Sequence, residues 1–99
     1  MISANVPNVV RKMVYRRDNY ACALCNDPRT LQIHHYQHRS LGGNDTPHNL
    51  ITLCSYCHAL IYGVDINDVG LTTDEVDQAV AEYLADLYAP TWWPFSYND

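Results

Sequence analysis

Apolar positions recur along this chain in two rhythms. Val9, Val10, Met13, Val14 and Arg17 follow a period of about 3.6 residues and predict an early amphipathic helix. Pro7 suits its first turn, with Asn5 a candidate cap upstream. Asp18-Asn19 breaks that pattern. Residues 31–36 and 50–53 read as two short strands, with a turn at Gly42-Gly43-Asn44-Asp45 and an irregular Thr46-Pro47 between them. Residues 57–62 predict a short helix that Gly63 stops. Thr72 and Glu75 are spaced as a capping box. Val76, Ala79, Val80, Tyr83, Leu84, Leu87 and Tyr88 then mark one face of a second amphipathic helix, and Pro90 follows its end. The sum is a small α+β protein.

Charge divides the chain. Residues 1–58 hold all six basic residues and three acidic ones, a local charge of +3. Residues 59–99 hold eight acidic residues and no basic one, which brings the net charge to −5. The first part is a modest candidate for a phosphate-backbone surface, and the second would repel a polyanion. Arg11, Lys12, Arg16 and Arg17 crowd the first helix and suit the negative end of its dipole. They read either as a solvated face or as DNA contacts. The tail, with Trp92, Trp93, Phe95 and Tyr97, reads as a lid folded on the core or as a partner-binding segment. No apolar run approaches a membrane span and no signal pattern opens the sequence, so the expected setting is the cytoplasm, without membrane contact.

The candidate chemistry lies in the cysteines and histidines. Cys22-x-x-Cys25 and Cys54-x-x-Cys57 are two identical pairs with 28 residues between them. In a reducing compartment, two such pairs predict a closed tetrahedral zinc site of four thiolates rather than disulfides. A redox motif needs only one pair, and iron–sulfur clusters use other spacings. A zinc held by four thiolates would add a local charge of about −2. A chain of this size buries a limited core, so the metal would supplement it. All five histidines (His34, His35, His38, His48 and His58) fall in or against that interval. His34 and His58 could ligate a second, open-sided divalent ion from opposite ends of the stretch, leaving His35 as a base. Adjacent strand residues point to opposite faces, so His34 and His35 can share a site only where the strand ends or bends. The competing reading is histidines fixed by hydrogen bonds on the surface or in the core, and it is preferred for His38 and His48.

The stretch from Tyr15 to Tyr62 resembles the HNH endonuclease family. Tyr15-Arg16-Arg17-Asp18-Asn19-Tyr20 leading to the first cysteine pair is similar to that family's helix end and Arg-Asp. The double histidine, Arg39-Ser40 before Gly42-Gly43, Asn49-Leu50 and Cys54-x-x-Cys57-His58 are similar to its nuclease motif. The resemblance implies a ββα-metal core, here stapled by the four-cysteine zinc site and flanked by the N-terminal and C-terminal amphipathic helices that periodicity predicts. Chain length predicts one domain over residues 1–99, with the resembling core at about 15–62 and, as an appendage, a helix of about 73–89 and a tail of 90–99. By position, His34 and His58 would hold the catalytic metal, Mg²⁺ or Mn²⁺, with Zn²⁺ or Ni²⁺ also able to occupy it. His35 would be the general base. Its other ring nitrogen would donate to a backbone carbonyl or to Asn49, which would also tie the loop. Arg39 would hold a phosphate. The implied partner is DNA, nicked with low sequence specificity to leave 5′-phosphate and 3′-hydroxyl ends. The small stand-alone members of bacteriophages further imply packaging proteins such as terminase as partners. Monomer and homodimer both remain open. Two other classes compete: a non-catalytic zinc-stapled DNA-binding module, and a protein-interaction module using the acidic helix and the tryptophans.

Overall fold

The computed structural model describes residues 6–38 and 42–88. Its order is α1 (Asn8–Arg17), β1 (Leu31–His35), a single 3-10 turn (Pro47–Asn49), β2 (Leu50–Cys54), α2 (Ser55–Ile61) and α3 (Thr73–Tyr88). The architecture is α+β, as the alternation of periods predicts. The candidate cap Asn5, the phosphate-binding candidate Arg39, and the aromatic tail lie outside the described residues.

The two strands form one antiparallel pair, with Leu31 opposite Cys54, His34 opposite Ile51 and His35 opposite Leu50. All five residues of β2 are buried, which requires cover on both faces. Leu50 and Ile33 pack with Val6 and Val14 on the α1 side. Ile51 and Leu53 pack with Val80 and Leu84 of α3 and with three of the cysteines on the other side. The hairpin is thus the middle layer, and its two faces see different helices.

α1 buries a narrower stripe than its sequence pattern suggests. Val14 is fully buried and Val10 partly so, but Val9 is 67% and Met13 53% exposed. A two-stranded sheet is too narrow to cover a broad helical face, so the contact is made by the i, i+4 row carried on from Val6, with Tyr15 beside it. Arg17 also departs from expectation: it is neither a solvated side chain nor a free DNA contact. Its guanidinium donates to the carbonyls of Pro47 (2.7 Å) and Leu50 (2.7 Å), to Tyr88 Oη (3.0 Å) and to both carboxylate oxygens of Asp18. Buried Asp18 also accepts from Thr52 N (2.9 Å) and Tyr83 Oη (2.7 Å). Every charge in this pair is answered, which is the condition for burying one. The Arg17-Asp18 pair therefore joins α1, β2 and α3.

The helix ends follow from local sequence. Thr72 Oγ1 accepts from Glu75 N (3.1 Å) and Glu75 accepts from Thr72 N (2.8 Å), a reciprocal capping box. At the end of α2, Gly63 takes φ +84°, and Gly63 N and Val64 N donate to the carbonyls of Leu60 and Ala59. This is the left-handed glycine closure that stops a helix. α3 buries Val76, Val80 and Leu84, while Leu87 at the edge of its apolar face stays exposed. No helix among the described residues is long and apolar enough to cross a membrane.

Candidate functional site

The four cysteines meet. Their sulfurs lie within 4.8 Å of one another, and all four are free of disulfide bonds. A tetrahedral zinc with bonds of about 2.3 Å needs sulfurs roughly 3.8 Å apart, so the set fits. Each pair is a turn built around its first cysteine. Cys25 N points at Cys22 Sγ and Cys57 N at Cys54 Sγ, both at 3.5 Å. In the first turn Asn26 takes φ +69° and its N–H donates to Cys22 O (2.8 Å). In the second, Cys54 is both the last residue of β2 and the cap of α2. Ala23 N donates to Thr52 O (2.9 Å) and so fastens the first turn to the strand that carries the second. Burial pushes the Cys57 thiol up, with the neighbouring Cys22 adding to it, and burial pushes Cys25 up to about 11. Four thiolates cannot gather without a cation between them.

A histidine cluster occupies the gap between β1 and α2. The rings of His34 and His58 are 5.3 Å apart, edge to face, and Tyr62 lies 5.2 Å from His58. Strand alternation puts His34 on the α2 side of the hairpin, opposite Ile51. Its side chain is buried, only 3% exposed, and no hydrogen bond to its ring occurs among the described residues. Burial, aided by the nearby His58, His38 and His35, holds its pKa down to about 3. Burial and His38 also lower that of His58. Two imidazoles that converge from a strand and a helix, without a hydrogen-bond partner among the described residues, fit the donor set of a divalent cation. His38, the preferred bystander, instead sits beside this cluster, 6.1 Å from His34 and 6.4 Å from Tyr62. His48 is elsewhere, stacked on Tyr88 at 4.1 Å.

His35 is the last residue of β1, so the alternation of faces ends with it. Its Nε2 is hydrogen-bonded to Asp45 Oδ1 at 2.7 Å. The sequence reading named a backbone carbonyl or Asn49 as that partner, and the structure corrects it. Asn49 is fully buried, and its amide is already used. Nδ2 donates to the carbonyls of Gln37 (3.0 Å) and Asn44 (2.9 Å), and Oδ1 accepts from Gln37 N (2.8 Å). Asn49 thus holds the two ends of the loop together. Gly43 is needed for this closure: a Cβ there would run into the Gln37 carbonyl and come within 2.9 Å of Asn49 Nδ2. Asp45 was missed because its bond to His35 spans ten residues of loop, with no periodicity to signal it.

The supply of exposed basic groups is smaller than the sequence suggests. Arg17 is used internally and Arg29 is paired with Asp27, while Lys12 and Arg16 remain exposed. A cleft of about 270 Å³ lined by Asp27, Arg29, Tyr56 and Ile66 includes none of the histidines.

Residues 22–61 match the family model described as HNH endonuclease. It spans both cysteine pairs and four histidines of the interval together with His58. No curated protein matches the chain closely.

Proposed function

We propose that this protein is a metal-dependent endonuclease that hydrolyses DNA phosphodiester bonds. The carrying observation is the pair of imidazoles, His34 and His58, converging at 5.3 Å with no hydrogen-bond partner among the described residues, near a base candidate, His35, held by Asp45 at the end of its strand. In this reading the four cysteines hold Zn²⁺ for stability, and His34 and His58 hold a second divalent cation, Mg²⁺ or Mn²⁺. That cation would neutralise phosphate charge and stabilise the departing 3′-oxygen. His35, in its neutral form, takes a proton from a water molecule. The water oxygen forms a bond to phosphorus as the bond from phosphorus to the 3′-oxygen breaks. The leaving oxygen gains a proton from solvent, giving 5′-phosphate and 3′-hydroxyl ends. Asn49 keeps the loop closed around His35, and Arg39 would hold the phosphate.

One such site cuts one strand per encounter, so the monomer nicks duplex DNA. None of the described elements is a dedicated base reader, which supports low sequence specificity. Packaging proteins such as terminase are partners that the family resemblance supports, and the cytoplasm is the corresponding location. A binding module without catalysis would need the cysteines but not the unpaired imidazoles. Supercoiled plasmid distinguishes the two. The enzyme converts it to open circle with Mg²⁺ or Mn²⁺ and is silent in EDTA. Binding without relaxation in either metal would refute it.

A further inference from the structure

The geometry points to Asp45 as the positioning residue that selects which ring nitrogen of His35 acts as the base, an inference that rests on the nuclease reading above. The Nε2 to Oδ1 distance of 2.7 Å is that of a charge-assisted bond. An ionised carboxylate can only accept, so Nε2 must carry the hydrogen. In the neutral ring the lone pair then falls on Nδ1, and that atom is the one left to receive a proton from water. The side chains are 16% and 27% exposed, so the pair is partly shielded from competing water.

Asp45 is itself held from both sides. Asn49 Nδ2 donates to the carbonyl of Asn44, the residue just before it. Asn44 Oδ1 accepts from Thr46 Oγ1 (2.7 Å) and, more weakly, from Thr46 N (3.4 Å), just after it. Asn49 N donates to Thr46 O (2.9 Å), closing the turn that leads into β2. Asn49 therefore acts on His35 through Asp45, along a chain of bonds from the buried Asn49 to the half-buried end of β1. This gives the loop a purpose beyond connection: it carries the carboxylate to the imidazole. Without Asp45 the loop could remain closed, because the Asn49 bonds do not involve it.

The test reads the His35 tautomer and the kinetics together. Zinc-loaded protein labelled with ¹⁵N-histidine, at mildly alkaline pH and with no catalytic cation, should show His35 with a pyridine-type Nδ1 and a protonated Nε2. Asp45→Ala and Asp45→Asn should turn this into a mixture of tautomers. With Mn²⁺ and plasmid, kcat of both variants should fall about 10–100-fold, the usual range for a lost orienting partner. KM and plasmid affinity should hold, and Asp45→Glu should restore part of the rate. A wild-type ring carrying its hydrogen on Nδ1 would overturn the inference. So would a tautomer unchanged in both variants, or a loss appearing in KM and melting temperature alone. The NMR readout needs no cleavage. If the protein proves inactive but the tautomer follows Asp45, the nuclease reading fails while the positioning stands. If cleavage is robust and the tautomer ignores Asp45, the reverse holds.

Discussion

The two ends of β1 face two sites built in opposite ways. Leu31 lies opposite Cys54, next to a centre whose four donors sit on short local turns anchored to buried β2. At the other end, His34 and His35 meet groups from α2 and from a loop, and the loop is held by one buried amide. The cysteine centre is redundant in its local geometry, since each pair forms its own turn. The histidine cluster draws on the hairpin, α2 and the loop together. A structural metal gains from the first design. Under the nuclease reading, the second leaves room for substrate and water.

Removing a cysteine tests the contrast most severely. Structural zinc contributes an apparent 10–16 kcal/mol, roughly, in small metal-folded units. That is comparable to the roughly 5–15 kcal/mol stability of a whole domain. Cys54→Ala, which also removes the α2 cap, should therefore abolish the cooperative melt followed by circular dichroism. A folded, active Cys54→Ala protein would erase the distinction between the two ends.

His35→Ala should do the opposite. Zinc content and melting temperature should stay at wild-type values while plasmid nicking falls by about 10²–10⁴, the usual contribution of a general base. Full activity would remove His35 from the chemistry.

Acid provides the next test. His34 is about 6.5 in the unfolded chain and about 3 in the fold, so the unfolded state takes up its proton first. Its contribution to stability is complete above about pH 6.5 and is lost progressively as pH falls towards about 3. Thiolate protonation also releases zinc in acid, so the comparison is with His34→Asn. Urea midpoints of the wild type should fall more steeply with decreasing pH than those of the variant. Parallel curves would place His34 in a more open setting than the structure gives it.

The smallest effect concerns the acidic helix. Asp77 of α3 is raised by burial and by Asp74, and senses the charge of His38. Negative charge thus reaches the edge of the histidine cluster. Asp77→Asn should tighten DNA binding by under about 1 kcal/mol at low salt, an advantage lost as salt screens it. Fluorescence anisotropy across a salt series would measure this, and weaker binding would contradict it.

The contrast also explains what the sequence disclosed. Paired cysteines, the Thr72–Glu75 capping box, the stop at Gly63 and the two strands are local signals, and each appears in the structure within a residue or two of its expected place. Long-range choices were hidden. Arg17 reads as one more basic residue of a helix, yet it contacts Pro47, Leu50 and Tyr88, all at least 30 positions away. The exposure of Val9 and Met13 depends on the width of the sheet beneath them. The partner of His35 depended on how the loop closes, which the Asn49 amide decides.

Metal stoichiometry by mass spectrometry and calorimetry gives the most direct test that two independent cation sites coexist. The wild type should retain one zinc and bind one further Mn²⁺. The His34→Ala/His58→Ala double variant should keep the zinc and lose the Mn²⁺. Loss of zinc from that variant, or undiminished Mn²⁺ binding by it, would contradict the account.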